Sequence, residues 1–295
     1  MAPSTAPPPR VVSGVPPLRV VDGTRIRDDL IDRVRVAAEA APRSPCLGIV
    51  YDGSNAASRR WTGYKRDACS RAAVRLVARD LDGGAGTEAA APVVHELDAD
   101  PDVDAIFLQT PLPGGVDPVA LASLVSPAKD VDGLHWGSSD SAQVPATAQA
   151  VLCVLESHGV RLLRAEVVIL GGAEPILDAL AVALAEPSRG AFVSTVSPTD
   201  PAARRVCSQA GILVTAAGRP GLVDDEWLSR GSVVIDAGVL VGGGTEGDVT
   251  PEAIRSKVAL LCPARGGLGP VTVAILIRRT VQLAGVPLRP QTRAQ

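Results

Sequence analysis

Glu166-Val167-Val168-Ile169-Leu170-Gly171-Gly172 is the most telling segment of the chain. A short apolar run of this length reads as a buried strand. The glycine pair directly after it lets the chain turn tightly and lets backbone come close to a ligand. Further short apolar runs follow at Ala191 to Val196, Ile212 to Ala216 and Ser232 to Ala237, with helical segments between them. Strand, glycine turn, helix, strand is the pattern of a doubly wound, Rossmann-like nucleotide-binding domain.

Working toward the N-terminus, Pro145 to Glu156 reads as a linking helix. Before it, Arg25 to Ala41 has helical spacing, with Leu30, Ile31, Val34 and Ala37 on one face. Cys46 to Tyr51 and Ala105 to Gln109 read as buried strands, the second ended by Pro111 and Pro113, and Ala57 to Asp80 reads as one long helical stretch. This alternation predicts a second α/β unit with a mainly parallel sheet. The Gly-rich segment Asp82 to Thr87 is expected to be a mobile loop, and Thr272 to Leu283 a last helix. The expected organisation is an α/β chain of two domains. A tail covers residues 1–17, an N-terminal catalytic domain 18–148 is joined by a C-terminal helix 271–295, and a Rossmann-like domain spans 149–270.

Composition narrows the function. The chain is 46% hydrophobic but only 2% aromatic, so its core must be built from Ala, Val, Leu and Ile. A net charge of −3 with no basic stripe argues against a nucleic-acid partner, and no apolar run is long enough for a bilayer. Met1 to Pro17 is rich in Pro, Ala and Ser without an apolar centre, which predicts a disordered tail rather than a signal peptide. The cysteines Cys46, Cys69, Cys153, Cys207 and Cys262 are scattered and odd in number, which predicts reduced thiols, a cytoplasmic protein and no metal site. Among 29 basic residues only Lys65, Lys129 and Lys257 are lysines. Where arginine serves as the general cation, a lysine is more informative, because lysine can titrate and arginine does not.

Four stretches could carry chemistry. In Ser58-Arg59-Arg60-Trp61-Thr62-Gly63-Tyr64-Lys65, helical spacing puts Ser58, Trp61 and Lys65 on one face, an aromatic plate beside an amine. An amphipathic helix with a snorkelling lysine explains the same spacing. In Phe107-Leu108-Gln109-Thr110-Pro111-Leu112-Pro113, a glutamine ends an apolar strand, where parallel sheets bind ligands. In Pro127-Ala128-Lys129-Asp130-Val131-Asp132-Gly133-Leu134-His135, two carboxylates could bind a cationic or amidine-like edge, or form an Asx turn. In Arg265-Gly266-Gly267-Leu268-Gly269-Pro270-Val271-Thr272, three glycines precede a helix start.

Together and in this order, from Val20 to Gly285, these stretches resemble the methylenetetrahydrofolate dehydrogenase/cyclohydrolase family. That family reads Ser-x-x-Tyr-x-x-x-Lys, Val-Gln-x-Pro-Leu-Pro, Pro-x-Lys-Asp-Val-Asp-Gly, a glycine-rich nucleotide loop and Pro-Gly-Gly-Val-Gly-Pro-Met-Thr. The resemblance implies oxidation of methylene-tetrahydrofolate with NADP or NAD, then hydrolysis of the methenyl form to 10-formyl-tetrahydrofolate. It implies Lys65 as the catalytic lysine, Gln109 as its positioning partner and Asp132 on the pterin ring. It implies a folate pocket with Ser58, Trp61, Leu108, Gly266, Gly267, Gly269 and Pro270, and a cofactor site with Gly171, Gly172, Ala173, Gly218 and Val239. It also implies a homodimer.

The chain departs from the family pattern in places. Trp61 stands for the tyrosine, and Tyr64, about 300° further round the helix at about 100° per residue, is not expected to replace it. Arg265 stands for a proline. In the nucleotide loop Ala173 replaces a serine and Leu177 a glycine, while Glu174 and Asp178 bring negative charge to a helix start. Such charges favour an empty helix N-terminus and oppose a pyrophosphate. The segment Ser197 to Asp200 lacks the basic and hydroxyl groups expected beside a 2′-phosphate, whereas Asp200 could bond a ribose hydroxyl. Weak nucleotide binding with NAD favoured is therefore expected. A cyclohydrolase without hydride transfer and a non-catalytic folate-binding paralogue are the alternatives.

Overall fold

The computed structural model describes residues 17–81, 86–137, 143–172, 174–238 and 246–288. The tail residues 1–16, most of the Gly-rich loop, Ala173, Val239 and the last residues from 289 lie outside that description.

The chain begins with a two-residue strand, β1 (Arg19–Val20), and α1 (Gly23–Glu39). Asp22 starts this helix, its carboxylate accepting the Thr24 and Arg25 N–H groups. Leu30, Ile31, Val34 and Ala38 form its buried stripe. Then come β2 (Cys46–Tyr51), α2 (Ala56–Arg71), β3 (Arg75–Asp80), α3 (Thr87–Ala99), β4 (Ala105–Leu108) and α4 (Pro118–Ala122). The first sheet has the order β3-β2-β4, all parallel, with the fully buried β2 at its centre.

The predicted helix over 57–80 is corrected here. It stops at Arg71, Ala73 turns the chain at φ 55, and Arg75 to Asp80 is a strand beside β2. A helix ending in the left-handed region is usually marked by glycine, and alanine hides the break.

The second unit opens with α5 (Ala146–Ser157), then β5 (Glu166–Gly171), α6 (Pro175–Ala185), β6 (Phe192–Val196), α7 (Ala203–Cys207) and β7 (Ile212–Ala216). It closes with β8 (Ser232–Asp236), α8 (Pro251–Ile254), β9 (Val258–Cys262) and α9 (Leu268–Leu283). Its parallel sheet runs β1-β9-β8-β7-β5-β6. The chain moves outward from β5 to β6, then crosses back to β7, so the topological switch point lies between β5 and β7.

Two features join the halves. Strand β1 comes from the segment expected to belong wholly to the first domain, yet it pairs with β9 at the edge of the larger sheet. Helix α9 begins at Leu268, earlier than residue 271, and packs mainly on α1 and α5, with further contacts to α2, β2 and β4. One apolar cluster includes Ile31, Leu47, Leu152, Ile169, Leu180 and Ile275, so the interior is continuous from the first sheet to the second. Among the described residues no helix is long and apolar enough to cross a membrane.

Candidate active site

Helix α2 starts where Asn55 accepts the Ala57 and Ser58 N–H groups. Its buried face carries Ser58, Thr62, Lys65, Ala68 and Cys69, a lining at helical spacing that packs toward β2, β3 and α9. Lys65 is only 6% exposed. Its Nζ donates to Gln109 Oε1 at 2.6 Å and lies 4.5 Å from the centre of the Phe107 ring. Gln109 is one residue past β4 and is oriented in turn by its Nε2, which donates to the Thr110 carbonyl at 2.5 Å. Side chains alternate along a strand, so Phe107 and Gln109 reach the α2 side. Leu108 faces the other way, into the cluster with Ile106, Val94 and Leu121. Its side chain therefore does not join Lys65, contrary to the sequence expectation that it would line the substrate pocket.

The two carboxylates of the 127–135 loop are divided in role. Asp130 accepts the N–H groups of Gly133, Leu134 and His135 at 2.9, 3.0 and 2.9 Å and holds the turn. Lys129 is equally structural, donating to the Leu97, Asp98 and Asp100 carbonyls at the end of α3. Asp132 is the carboxylate whose field reaches Lys65.

Burial sets the titration of this cluster. Desolvation brings the Lys65 amine down to about 8, although the Asp132 charge pulls the other way. The Cys69 thiol is pushed up to about 12 by burial, so it is neutral near pH 7 and adds no charge there. Burial raises Asp132 above the usual carboxylate range, with Lys65 and Arg279 opposing that rise. An amine that ionises near neutrality, fixed by an amide and beside a carboxyl, can take a proton from water and return it.

Around this cluster Trp61 is half-buried, in edge contact with Tyr64 at 5.7 Å between ring centres, and the Arg60 guanidinium lies 5.8 Å from its ring. Tyr64, three residues on, is a helical neighbour of Trp61, but its side chain is exposed. Ser58 is fully buried, and its Oγ accepts the Asp52 N–H at 3.2 Å. Gly267 packs so closely that a Cβ there would lie 2.1 Å from the Pro263 carbonyl oxygen. The Gly266 carbonyl accepts the Gly23 N–H at 2.8 Å. Gly269 and Pro270 fall inside the first turn of α9 rather than in a loop before it. A cavity lined by Asp236, Gly247, Thr250, Pro263 and Arg265 opens beyond β8 and β9, and it contains none of Lys65, Gln109 and Asp132.

At the switch point, Gly172 and Gly218 face open space beyond β5 and β7, room that a dinucleotide backbone needs. The crevice thus fits such a group in outline. The helix start fits it less well. Pro175 has no N–H to offer, and the Leu177 and Asp178 amides are committed to the Glu174 carbonyl at 2.9 and 3.1 Å. Leu177 does not project into the crevice as its sequence position suggested. It turns inward at 5% exposure, its Cδ1 2.4 Å from where a Cβ on Gly171 would be, and wedges α6 against β5. Nearby, Ser197 and Thr199 do supply hydroxyls, 2.8 Å apart, while Asp200 is engaged with the Ala202 N–H at 2.7 Å. Ala173 and Val239, expected at this site, lie outside the described residues.

Arg279 escaped the sequence reading. It is 3% exposed on α9, and its guanidinium donates to the carbonyls of Val131 and Val144, beside Asp132. A buried arginine in an apolar helical stripe was the available signal, since such a charge requires partners.

Comparison with known proteins agrees with this geometry. Residues 21–132 match the family description "Tetrahydrofolate dehydrogenase/cyclohydrolase, catalytic domain", and residues 145–286 match its NAD(P)-binding domain. The bifunctional methylenetetrahydrofolate dehydrogenase/cyclohydrolase of Trypanosoma brucei, solved with NADP and an inhibitor, is 29% identical at a TM-score of 0.82, over 92% of this chain and 98% of that one. The Campylobacter jejuni bifunctional enzyme is 24% identical at 0.83, over 91% and 99%, and shares the fold. So does the NAD-dependent dehydrogenase of Saccharomyces cerevisiae, 16% identical at 0.75, over 90% and 97%.

Proposed function

This chain belongs to the tetrahydrofolate dehydrogenase/cyclohydrolase family, and we propose that it oxidises methylene-tetrahydrofolate and hydrolyses the methenyl form to 10-formyl-tetrahydrofolate, with Lys65 at the centre of the hydrolysis. The observation that carries this is the buried Lys65 amine, held at about 8 and bonded to Gln109 at 2.6 Å. A free amine at that point accepts a proton from the water that adds to the methenyl carbon. The carbon–N5 bond then breaks as the proton returns to N5, and the hydroxyl proton of the adduct leaves to solvent as the formyl C=O forms. Gln109 keeps the amine oriented through this cycle. Asp132 binds the cationic or amidine-like edge of the pterin, and Trp61 stacks on its face.

Gly266, Gly267, Gly269 and Pro270 form a wall of the folate pocket. Ser58 supports it from behind, and Leu108 contributes through its backbone. Gly171, Gly172 and Gly218 hold the nucleotide, with Ala173 and Val239 assigned to the same site. A nicotinamide nucleotide bound there supplies the acceptor for the hydride that leaves the methylene carbon. The dimer is proposed to form through β6, an edge strand with Phe192 exposed beside the exposed Leu163 and Val182. The five cysteines are buried free thiols, which supports a reducing, cytoplasmic setting. Hydrolysis of methenyl-tetrahydrofolate by the nucleotide-free protein, compared with Lys65→Arg, tests the central assignment.

A further inference from the structure

We propose that Arg279 is a positioning residue for the folate site: it clamps the two chain segments that meet at Asp132 and keeps that side chain ionised for substrate binding. The inference rests on the reading of Asp132 given above.

The geometry is specific. Arg279 projects from the middle of α9, and its two guanidinium branches part. One donates to the Val131 carbonyl at 3.1 Å and the other to the Val144 carbonyl. Val131 immediately precedes Asp132. Val144 leads into α5, whose first residue, Ala146, donates its N–H to the Asp132 carbonyl at 2.9 Å. The loop of the first domain and the helix entering the second are thereby tied to one side chain. A planar fork can span two acceptors in this way, whereas an ammonium acts as a point charge.

The charge matters as much as the reach. Among the described residues, the groups facing Asp132 are Lys65 from α2, Arg279 from α9 and Asp130 from its own loop, and Asp130 works against its ionisation. Arg279 is itself desolvated, brought down to about 10, with Asp132 opposing that fall. Its neighbour Arg278 is directed elsewhere, toward Cys153 and Glu156 of α5. Of the two cations beside Asp132, only Arg279 keeps its charge through neutral pH, because Lys65 begins to lose its proton there. Arg279 thus favours the carboxylate form of Asp132 throughout the lysine's cycle, against the burial that raises it.

The test measures methenyl-tetrahydrofolate hydrolysis, and the binding of a non-reacting folate across pH, for the full chain and for Arg279→Lys, Arg279→Met and Asp132→Asn. Arg279→Met is expected to raise KM about tenfold or more with a smaller change in kcat, and to move the acid limb of folate binding, which is separate from the kcat limb near 8 that belongs to Lys65, upward by about one pH unit. Arg279→Lys retains the charge without the fork, so it should restore the acid limb while KM stays raised. Arg279→Met with an unmoved acid limb, whether or not its melting temperature falls, overturns the proposal and leaves a purely structural role. Should Arg279→Met fail to fold, Arg279→Lys decides alone, and an unchanged KM in that variant overturns the clamp. Full activity in Asp132→Asn overturns the parent reading of Asp132 and this inference with it. Loss of activity in Asp132→Asn, with both Arg279 variants unaltered, overturns the inference alone.

Discussion

Replacing Lys65 by arginine keeps a buried cation beside Gln109 and Asp132 but removes an amine that can lose its proton. The structure sets the size of the loss. With the amine held at about 8, about a quarter of it is free at about pH 7.5, against about one part in a thousand for an ordinary lysine. Lys65→Arg should therefore lower methenyl-tetrahydrofolate hydrolysis by about two orders of magnitude or more. In the parent protein the rate should climb with pH along a limb centred near 8. The fold carries the cost of this arrangement. Below about 8 the ammonium is charged in both the folded and the unfolded chain, and its desolvation weighs on the fold in full. The penalty, about 3 kcal/mol, fades as pH rises from about 8 toward the ordinary lysine value. Lys65→Met should accordingly be inactive, melt no lower than the parent at neutral pH, and lack the parent's gain in stability between pH 8 and 10. The assays are loss of methenyl absorbance and thermal melting over pH. Hydrolysis by Lys65→Arg within tenfold of the parent, or a parent profile with no limb near 8, would rule out Lys65 as the titrating base.

Further predictions concern the nucleotide, a buried carboxylate and the dimer. Calorimetric titration should find NADP binding weaker than low-micromolar, because Glu174 brings a like charge to the pyrophosphate site, and a like charge at about 4 Å costs about 1–4 kcal/mol, tenfold or more in affinity. Glu174→Asn should tighten it. Leu177→Gly, which removes a side chain that faces the core and not the crevice, should not, and it empties a buried site at about 2–5 kcal/mol of stability. No tightening in Glu174→Asn places the defect elsewhere in the domain. Asp248 accepts from Thr215 Oγ1, Ala217 N and Arg219 N at 2.6, 2.6 and 2.7 Å. Asp248→Asn turns a donor toward one of them and should cost about 2 kcal/mol or more in denaturant melts, and an unchanged midpoint would count against it. Light scattering should give a dimer that Phe192→Glu shifts toward monomer; a monomeric parent removes the β6 interface.

What sequence could show followed from local patterning. The buried stripe of α1 repeats at helical spacing, and Cys46–Tyr51 and Ile212–Ala216 are apolar runs of strand length, so these elements were legible. Strand β3 was not. Its Arg75, Arg79 and Asp80 suit a helix surface, and the turn before it rests on Ala73 without glycine or proline. The two-residue β1 has no local signature and exists through pairing with β9. The site followed the same rule. Lys65, Gln109 and Asp132 were named from their motifs, but nothing local says that the neighbouring Asp130 is taken up by its own loop. The bond from Arg279 to Val131 crosses 148 positions. Leu177 shows the converse: its identity was visible, but its direction depended on how α6 sits against β5.

On this reading the Lys65, Gln109 and Asp132 cluster turns over a folate substrate. The most direct measurement follows the disappearance of methenyl-tetrahydrofolate with purified full-length protein and no nucleotide, beside Lys65→Arg and a Lys257→Arg control. Lys257 donates to the Asp225 carbonyl, far along the chain from the cluster. Hydrolysis should run well above the buffer rate, be retained within about twofold in Lys257→Arg and be nearly abolished in Lys65→Arg. A parent protein no faster than buffer, or equal loss in both variants, would contradict it.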